Sequence, residues 1–206
     1  MVLMSIGIMT GDIVHSGDLE PHQVDAIIEL ILNLKGDLMR WDDDIVYSTR
    51  TRGDGWQIGI QSPRRALRAA LLVKATLQAA ADDLVQVETR IAIGVGDGEM
   101  NADLNSSHGT AFVASGTALE TMGRNTRIVH ASGGAIGAAT RLADSISQDW
   151  TVAQARAIEH LIHPDSPTRA VVGDMLGISR QAVDKSAHAA NWPALSQALE
   201  MIETSS

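Results

Sequence analysis

The period of the hydrophobic pattern changes repeatedly along the first three quarters of the chain. Apolar residues dominate from Val2 to Gly11, which predicts a strand, and they recur at helical spacing after Pro21. The same criteria predict further strands at Ile45–Arg52, Trp56–Ile60, Val87–Val95 and Arg127–His130, and helices at Ser62–Ala81, Gly109–Met122 and Ala135–Ile146. Because strands and helices alternate, we predict an α/β or α+β sandwich.

The pattern becomes entirely helical from Asp149 onward, with prolines as the main interruptions. We therefore predict two domains, an α/β domain over 1–148 and a small all-helical domain over 149–206. A basic face on the Ser62–Ala81 helix, formed by Arg64, Arg65, Arg68 and Lys74, is expected to be solvated.

Composition narrows the class of protein. The 206 residues are 45% hydrophobic and 20% charged, and none is cysteine, which excludes disulfides and thiolate metal sites. No apolar run reaches the ~20 residues of a membrane span, and no signal peptide is recognisable. We expect a cytoplasmic protein without a membrane partner. The net charge of −9 disfavours broad, non-specific binding to nucleic acid.

Two Gly-Asp pairs carry the main candidate chemistry. Gly11-Asp12 closes the first predicted strand, and Gly53-Asp54 lies in the predicted turn between two later strands. Two carboxylates at one edge of a sheet can hold Mg²⁺, or Mn²⁺ as an alternative, and the metal can hold phosphates. The sequence therefore predicts a metal site at Asp12 and Asp54, although Gly-Asp is also common turn chemistry.

Residues next to the two aspartates complete a candidate nucleotide site. The loop after Asp12 opens a helix, so its backbone N–H groups are expected to favour phosphate over Ile13, Val14 and Ser16. Two arginines on the strand before Asp54 would neutralise further phosphate charge. The predicted nucleotide-binding residues of that hairpin are Arg50, Arg52 and Gly53.

The order of these segments resembles the class III nucleotidyl cyclase fold and, more closely, the SatD family. The resemblance is carried by Gly11–Ser16, Gly53–Gln57, Arg90–Glu99, Gly109–Phe112 and Ala118-Leu119, and it covers roughly residues 2–130. It implies a nucleotidyl cyclase/ferredoxin-like sandwich that pairs as a homodimer.

The resemblance also implies roles for single residues. In cyclases, two metal ions bind the aspartates that match Asp12 and Asp54, and a basic residue that matches Arg50 contacts the base. The residues that match the transition-state Asn and Arg are Val113 and Thr117, which cannot stabilise charge in that way. Nucleotide binding is therefore expected, no catalytic residue is assigned, and turnover stays open.

The segment from Arg169 to His188 resembles a helix-turn-helix. Gly173 would allow two helices to approach closely, Gly177 suits the turn, and Ile178 and Val183 suit the core. In that pattern the residues facing DNA would be Ser179, Arg180, Gln181 and Lys185. Against this, residues 150–206 carry four Lys or Arg and six Asp or Glu, whereas DNA-binding modules are usually basic.

Three hypotheses follow from the sequence. The preferred one is a regulator whose first domain binds a nucleotide through metal and whose C-terminal helices bind DNA or a protein partner. The second is a divergent nucleotidyl cyclase or other metal-dependent phosphoryl transferase. The third is a scaffold in which both aspartates only stabilise turns.

Overall fold

A computed structural model describes residues 4–41, 44–82 and 86–205. Over these ranges, six strands form one sheet in the order β2-β3-β1-β4-β5, and β6 pairs with β4 in parallel. All other pairs are antiparallel. The strands are β1 (Met4–Ile13), β2 (Val46–Arg50), β3 (Trp56–Ile60), β4 (Thr89–Glu99), β5 (His108–Gly109) and β6 (Ile128–His130).

Helices cover both faces of the sheet, which confirms a mixed α/β fold. They are α1 (Pro21–Asn33), α2 (Lys35–Met39), α3 (Ala66–Ala79), α4 (Thr110–Thr121), α5 (Gly134–Gln148), α6 (Val152–Leu161), α7 (Arg169–Leu176), α8 (Arg180–Ala189) and α9 (Trp192–Thr204). The main hydrophobic core lies between the sheet and α1 and α3, because the odd-numbered positions of β1 and β4, such as Met9 and Ile91, point there.

The opposite face of the sheet is covered by α4. Gly94 allows this packing, because a Cβ atom added there would lie 2.6 Å from the backbone nitrogen of Ser115. Ile6 and Ile8 pack against Ala111 in a second, smaller hydrophobic cluster on this face. The small side chains on this face of β4 therefore admit a helix of the same chain.

The first strand extends beyond its predicted C-terminal end. Residues before Met4 lie outside the described ranges, and β1 continues through Asp12 to Ile13 instead of ending at Gly11. The extension occurs because Asp12 and Ile13 pair with Arg90 and Thr89 of the long neighbouring strand β4. Asp12 is thus a strand residue with a defined side-chain direction.

The C-terminal helices share the main core with the α/β part. Trp150, Ile158 and Val183 are buried in the same hydrophobic cluster as the core residues of α3, against which α6 packs. The expectation of a solvated basic face holds for Arg64, which is exposed, but it was wrong for Arg68 and Lys74, which are only 3% and 4% exposed. The division into two domains at residue 148 stays a prediction.

A short turn joins α7 to α8. Gly177 ends α7 with a φ of 66°, and the side chain of Ser179 caps α8 by accepting a hydrogen bond from the Ala182 amide at 3.2 Å. Val183 is fully buried, whereas Ile178 is 42% exposed, so its expected core position was wrong. The turn places the Ile178 carbonyl, not its side chain, against Gly173.

No helix in the described part of the chain is long and apolar enough to cross a membrane.

Candidate functional site

Asp12 and Arg90 form a cross-strand pair at one edge of the sheet. They lie opposite each other on β1 and β4, and the Arg90 Nε donates to Asp12 Oδ1 at 2.8 Å. A second bond joins the other guanidinium nitrogen to Asp12 Oδ2, which makes the pair bidentate. The side chain of Arg90 is 36% exposed and that of Asp12 is 23% exposed, so solvent reaches both of them.

Asp54 approaches the same edge from the β2–β3 hairpin. Gly53 has a φ of 66°, as a tight hairpin turn requires, and the following Asp54 accepts a hydrogen bond from the Ile13 amide at 3.3 Å. The bonds to Asp12, together with the charges of both aspartates, raise the pKa of Arg90 above its ordinary value. Asp12 thus bonds to the Arg90 guanidinium, and Asp54 bonds to the backbone of the neighbouring residue Ile13.

The edge is fixed from behind by a buried hydrogen-bond chain. The Trp56 indole donates to Thr89 Oγ1 at 3.0 Å, and this hydroxyl donates to the Asp12 carbonyl at 2.6 Å. The ring of Trp56 also packs against Gly11, where no Cβ atom would fit. These contacts hold the backbone of Asp12 in place, so only its carboxylate can adjust.

The hairpin arginines have different environments. Arg50 donates to the Gly53 carbonyl at 2.8 Å and to Asp25 at 2.7 Å, so its guanidinium is held at the hairpin. Arg52 is exposed and has no ion pair with any residue that the structure describes. Arg50 therefore has a structural role in the hairpin, whereas the guanidinium of Arg52 is held by no ion pair with a described residue and is the one more available to a phosphate.

The loop after β1 offers fewer backbone donors than expected. The Ile13 amide is used by Asp54, and the Val14 amide donates to the Glu88 carbonyl at 2.8 Å. His15 then takes a left-handed conformation, and Ser16 begins a three-residue 3-10 turn. Of the three predicted phosphate-binding positions Ile13, Val14 and Ser16, only Ser16 has an amide that takes no part in these bonds, and it also has a hydroxyl.

Helix α4 supplies no positive charge to the site. Its sequence contains no Lys or Arg, and Val113 is 70% exposed. Ser115 instead faces the sheet, where its hydroxyl bonds to Thr10 at 2.8 Å. Val113 and Thr117, the positions at which the sequence resemblance leads one to look for such a charge, carry none.

Arg90 is the site residue that sequence reasoning missed. It was recognised only as the first residue of a strand motif, without a role at the site. Its alternation with Ala92 and Gly94 places it on the face of Asp12, but the pairing depends on the register between β1 and β4. A register between strands so far apart in sequence leaves no local signal.

Asp12 and Asp54 could hold Mg²⁺ only if a bound phosphate and water supplied the other ligands. Within the described ranges, no group of three or more His, Asp or Glu residues could hold a metal ion. Mg²⁺ is commonly bound by one or two carboxylates together with substrate phosphates and water, and this edge offers two carboxylates. Asp12 and Asp54 would hold the ion, which would supply positive charge to the phosphates.

The predicted DNA-facing residues lie at the exposed start of α8. Ser179, Arg180, Gln181 and Lys185 are all exposed. The neighbouring Asp184 lies 3.8 Å from both Arg169 and His188, so negative charge is interspersed with the two cations. The face is accessible and close to neutral.

No protein-family model and no curated protein matches this chain, so the resemblance to the SatD family stays an expectation. Two solved structures of a bacterial light-regulated adenylyl cyclase are similar to it. The match to the first has a TM-score of 0.47 at 15% identity and covers 63% of the present chain and 77% of the solved cyclase chain. The match to the second has a TM-score of 0.45 at 14% identity and covers 63% of the present chain and 43% of the solved cyclase chain. These likenesses assign no residue.

Proposed function

We propose that the protein is a regulator that binds a nucleotide and a divalent cation together at the edge formed by Asp12, Asp54 and Arg90. The observation that carries this proposal is that Asp12, bonded to the solvent-accessible Arg90, is followed directly by Ile13, whose amide donates to Asp54. Carboxylates bind the cation, guanidinium groups bind phosphate, and a metal–nucleotide complex needs both.

The bidentate pair predicts an order of dependence. Arg90 occupies one lone pair on each oxygen of Asp12, so a cation alone competes with a guanidinium that is already in place. A nucleotide alone meets the negative charge of two carboxylates. When both arrive, the cation takes the carboxylates and Arg90 can turn to the phosphates. Strong binding is therefore expected only for the combination.

Binding without turnover is the preferred form of this proposal. Phosphoryl transfer requires stabilisation of charge on the phosphates, and α4 provides no cation for it. The alternative, a divergent cyclase or phosphoryl transferase, predicts metal-dependent turnover that Asp54→Asn abolishes.

A thermal-shift screen tests the nucleotide site. ATP, GTP, CTP and UTP, with their mono- and diphosphates, would be added with and without Mg²⁺ or Mn²⁺. A ligand at 100 times its dissociation constant stabilises the fold by about 2.7 kcal/mol, or roughly 5–10 °C for a chain of this size. We expect a shift that needs both components and disappears in Asp12→Asn/Asp54→Asn. A control substitution, Asp174→Asn at an exposed position of α7, should retain it.

The C-terminal half of the proposal is that α7 and α8 act as a helix-turn-helix that binds DNA or a protein partner. Exposed Arg180 and Lys185 favour DNA, whereas exposed Val171, Met175 and Ile178 on α7 and the turn favour a protein contact. Gel-shift and genomic pull-down experiments separate the two. Association that falls with salt and with Arg180→Ala/Lys185→Ala supports DNA, and its complete absence rejects DNA.

The proposed homodimer has a direct test. Cyclase-like domains pair, and this analogy alone motivates the expectation. Sedimentation equilibrium with and without the metal–nucleotide complex would show a monomer mass in both states if the expectation is wrong.

A further inference from the structure

A pocket of about 570 Å³ lies where α3, α5, α9 and the sheet meet. Val95 lines it, and this residue pairs with Gly7, five positions along β1 from the Asp12–Arg90 pair. Five strand residues span about 17 Å, and alternation points Val95 to the other face of the sheet. The pocket is therefore separate from the proposed nucleotide site.

Most of the pocket wall is apolar. The apolar side chains come from four different elements, and the side chain of Met201 on α9 is 66% exposed. The apolar lining includes Leu67, Val95, Ile136, Ala139, Met201 and Ile202. Ligand pockets in proteins typically have this size and this predominance of apolar side chains, with a few polar groups that orient the ligand.

His130 is the buried polar group of the pocket. It is 8% exposed, and its Nδ1 accepts a hydrogen bond from the Ser132 amide at 3.2 Å. A neutral ring then carries its proton on Nε2, and burial lowers the pKa of His130, which favours that neutral form. No described residue accepts a hydrogen bond from Nε2, so a donor is available beside an apolar cavity.

Arg64 provides a positive charge at the same pocket. It is exposed, and it makes no ion pair with any residue in the described ranges. The next arginine in the chain, Arg65, is by contrast bonded to Glu203. The Nε2 of neutral His130 and the guanidinium of Arg64 are both donors, and the other polar side chains of the lining are the hydroxyls of Ser132 and Ser205.

We propose that this pocket binds a small amphipathic carboxylate. Its apolar body would lie against Leu67, Val95 and Ile136, and its carboxylate would meet Arg64 and the His130 donor. A neutral ligand leaves the charge of Arg64 unused, and a cationic ligand is repelled by it. The carboxylate class follows from two unpartnered donors beside an apolar cavity.

Occupancy would also bear on the C-terminal helices. Met201 and Ile202 belong to the last turns of α9, which Glu203 attaches to Arg65 and Arg68. A ligand between α9 and the sheet adds contacts to both. We therefore expect carboxylate binding to raise the thermal transition of the whole chain.

Methyl NMR of the full-length protein with ¹³C-labelled methionine methyl groups tests the proposal. Decanoate, decanol and decylammonium serve as probes of equal chain length, each below its aggregation limit. Met201 reports on this pocket, while Met175 lines another pocket that shares no residue with it. We expect saturable shifts at Met201 with decanoate and weaker or absent shifts with the other probes. No shift at Met201, equal binding of all three probes, or an equal shift at Met175 overturns the proposal.

Two variants make the test independent of folding. Arg64→Gln changes an exposed side chain and should weaken decanoate binding about tenfold while leaving decanol unaffected. Arg124→Gln, another exposed arginine without an ion pair among the described residues, should change neither. Ala139→Leu fills the pocket from a half-exposed helix position and should abolish binding of decanoate. Unchanged decanoate affinity in Arg64→Gln or Ala139→Leu contradicts the assignment.

Discussion

Glu203 is predicted to hold the C-terminal helix α9 on α3 through a buried ion cluster. Its carboxylate accepts bonds from Arg68 at 2.7 and 2.9 Å and also from Arg65. The side chains of Arg68 and Glu203 are 3% and 7% exposed. Removing one partner of a buried ion pair costs about 3–5 kcal/mol, because the remaining charge stays buried.

Glu203→Gln is expected at the lower end of that range. The amide keeps one oxygen for Arg68 but removes the negative charge beside this buried guanidinium. We predict a loss of about 3 kcal/mol in the free energy of unfolding, which lowers Tm by roughly 6–12 °C for a chain of this size. Urea unfolding followed by circular dichroism and tryptophan fluorescence measures the loss of free energy, and a thermal scan measures the change in Tm.

Glu200→Gln is the matched control. It lies on the same helix and is exposed, and its side chain bonds only to Ser196 among the described residues, so its effect should stay within about 0.5 kcal/mol. A loss below about 1 kcal/mol for Glu203→Gln, or equal losses for both variants, would refute the reasoning. Separate transitions for the two probes would support the predicted boundary at residue 148.

Three further predictions concern other parts of the fold. Gly94→Ala forces a methyl group against α4 near Ser115 and should cost at least about 2 kcal/mol in urea unfolding, whereas Gly116→Ala, with open space, should stabilise by up to about 1 kcal/mol. Arg90→Gln removes the competitor for Asp12, so Mn²⁺ alone should bind more tightly and the nucleotide more weakly by calorimetry. Burial lowers the pKa of His130 below 6.5, so at low pH the folded state binds fewer protons than the unfolded chain and loses stability. The free energy of unfolding of wild type relative to His130→Asn should therefore rise with pH and level off above 6.5, and a flat difference would contradict this.

Local pattern predicted most of the strands and helices. The helical stripe after Pro21 and the Gly53 turn both follow from spacing and backbone preference, which act over a few residues. The burial of Arg68 could not be predicted in that way, because its partner Glu203 lies 135 residues further along the chain. The exposure of Ile178 depends on how its turn packs on Gly173.

The candidate site was predicted only in part. The two Gly-Asp pairs identified Asp12 and Asp54, since turns and strand ends leave a local signal. Arg90 depends on strand register, and the use of the Ile13 and Val14 amides depends on contacts with distant residues. Tertiary contacts therefore decide which groups around the aspartates are available to a ligand.

The most direct test of the proposed function is a titration of Mn²⁺ followed by electron paramagnetic resonance, which detects the unbound ion. The titration would be run with and without the nucleoside triphosphates ATP and GTP, on wild type, on Asp12→Asn/Asp54→Asn and on Asp174→Asn. Each nucleotide is also titrated without protein, because triphosphates hold Mn²⁺ by themselves, and this amount is subtracted. We predict protein-dependent Mn²⁺ binding to wild type and Asp174→Asn only when a nucleotide is present, and none to the double variant. Binding that persists in the double variant, or no binding in any combination, would contradict it.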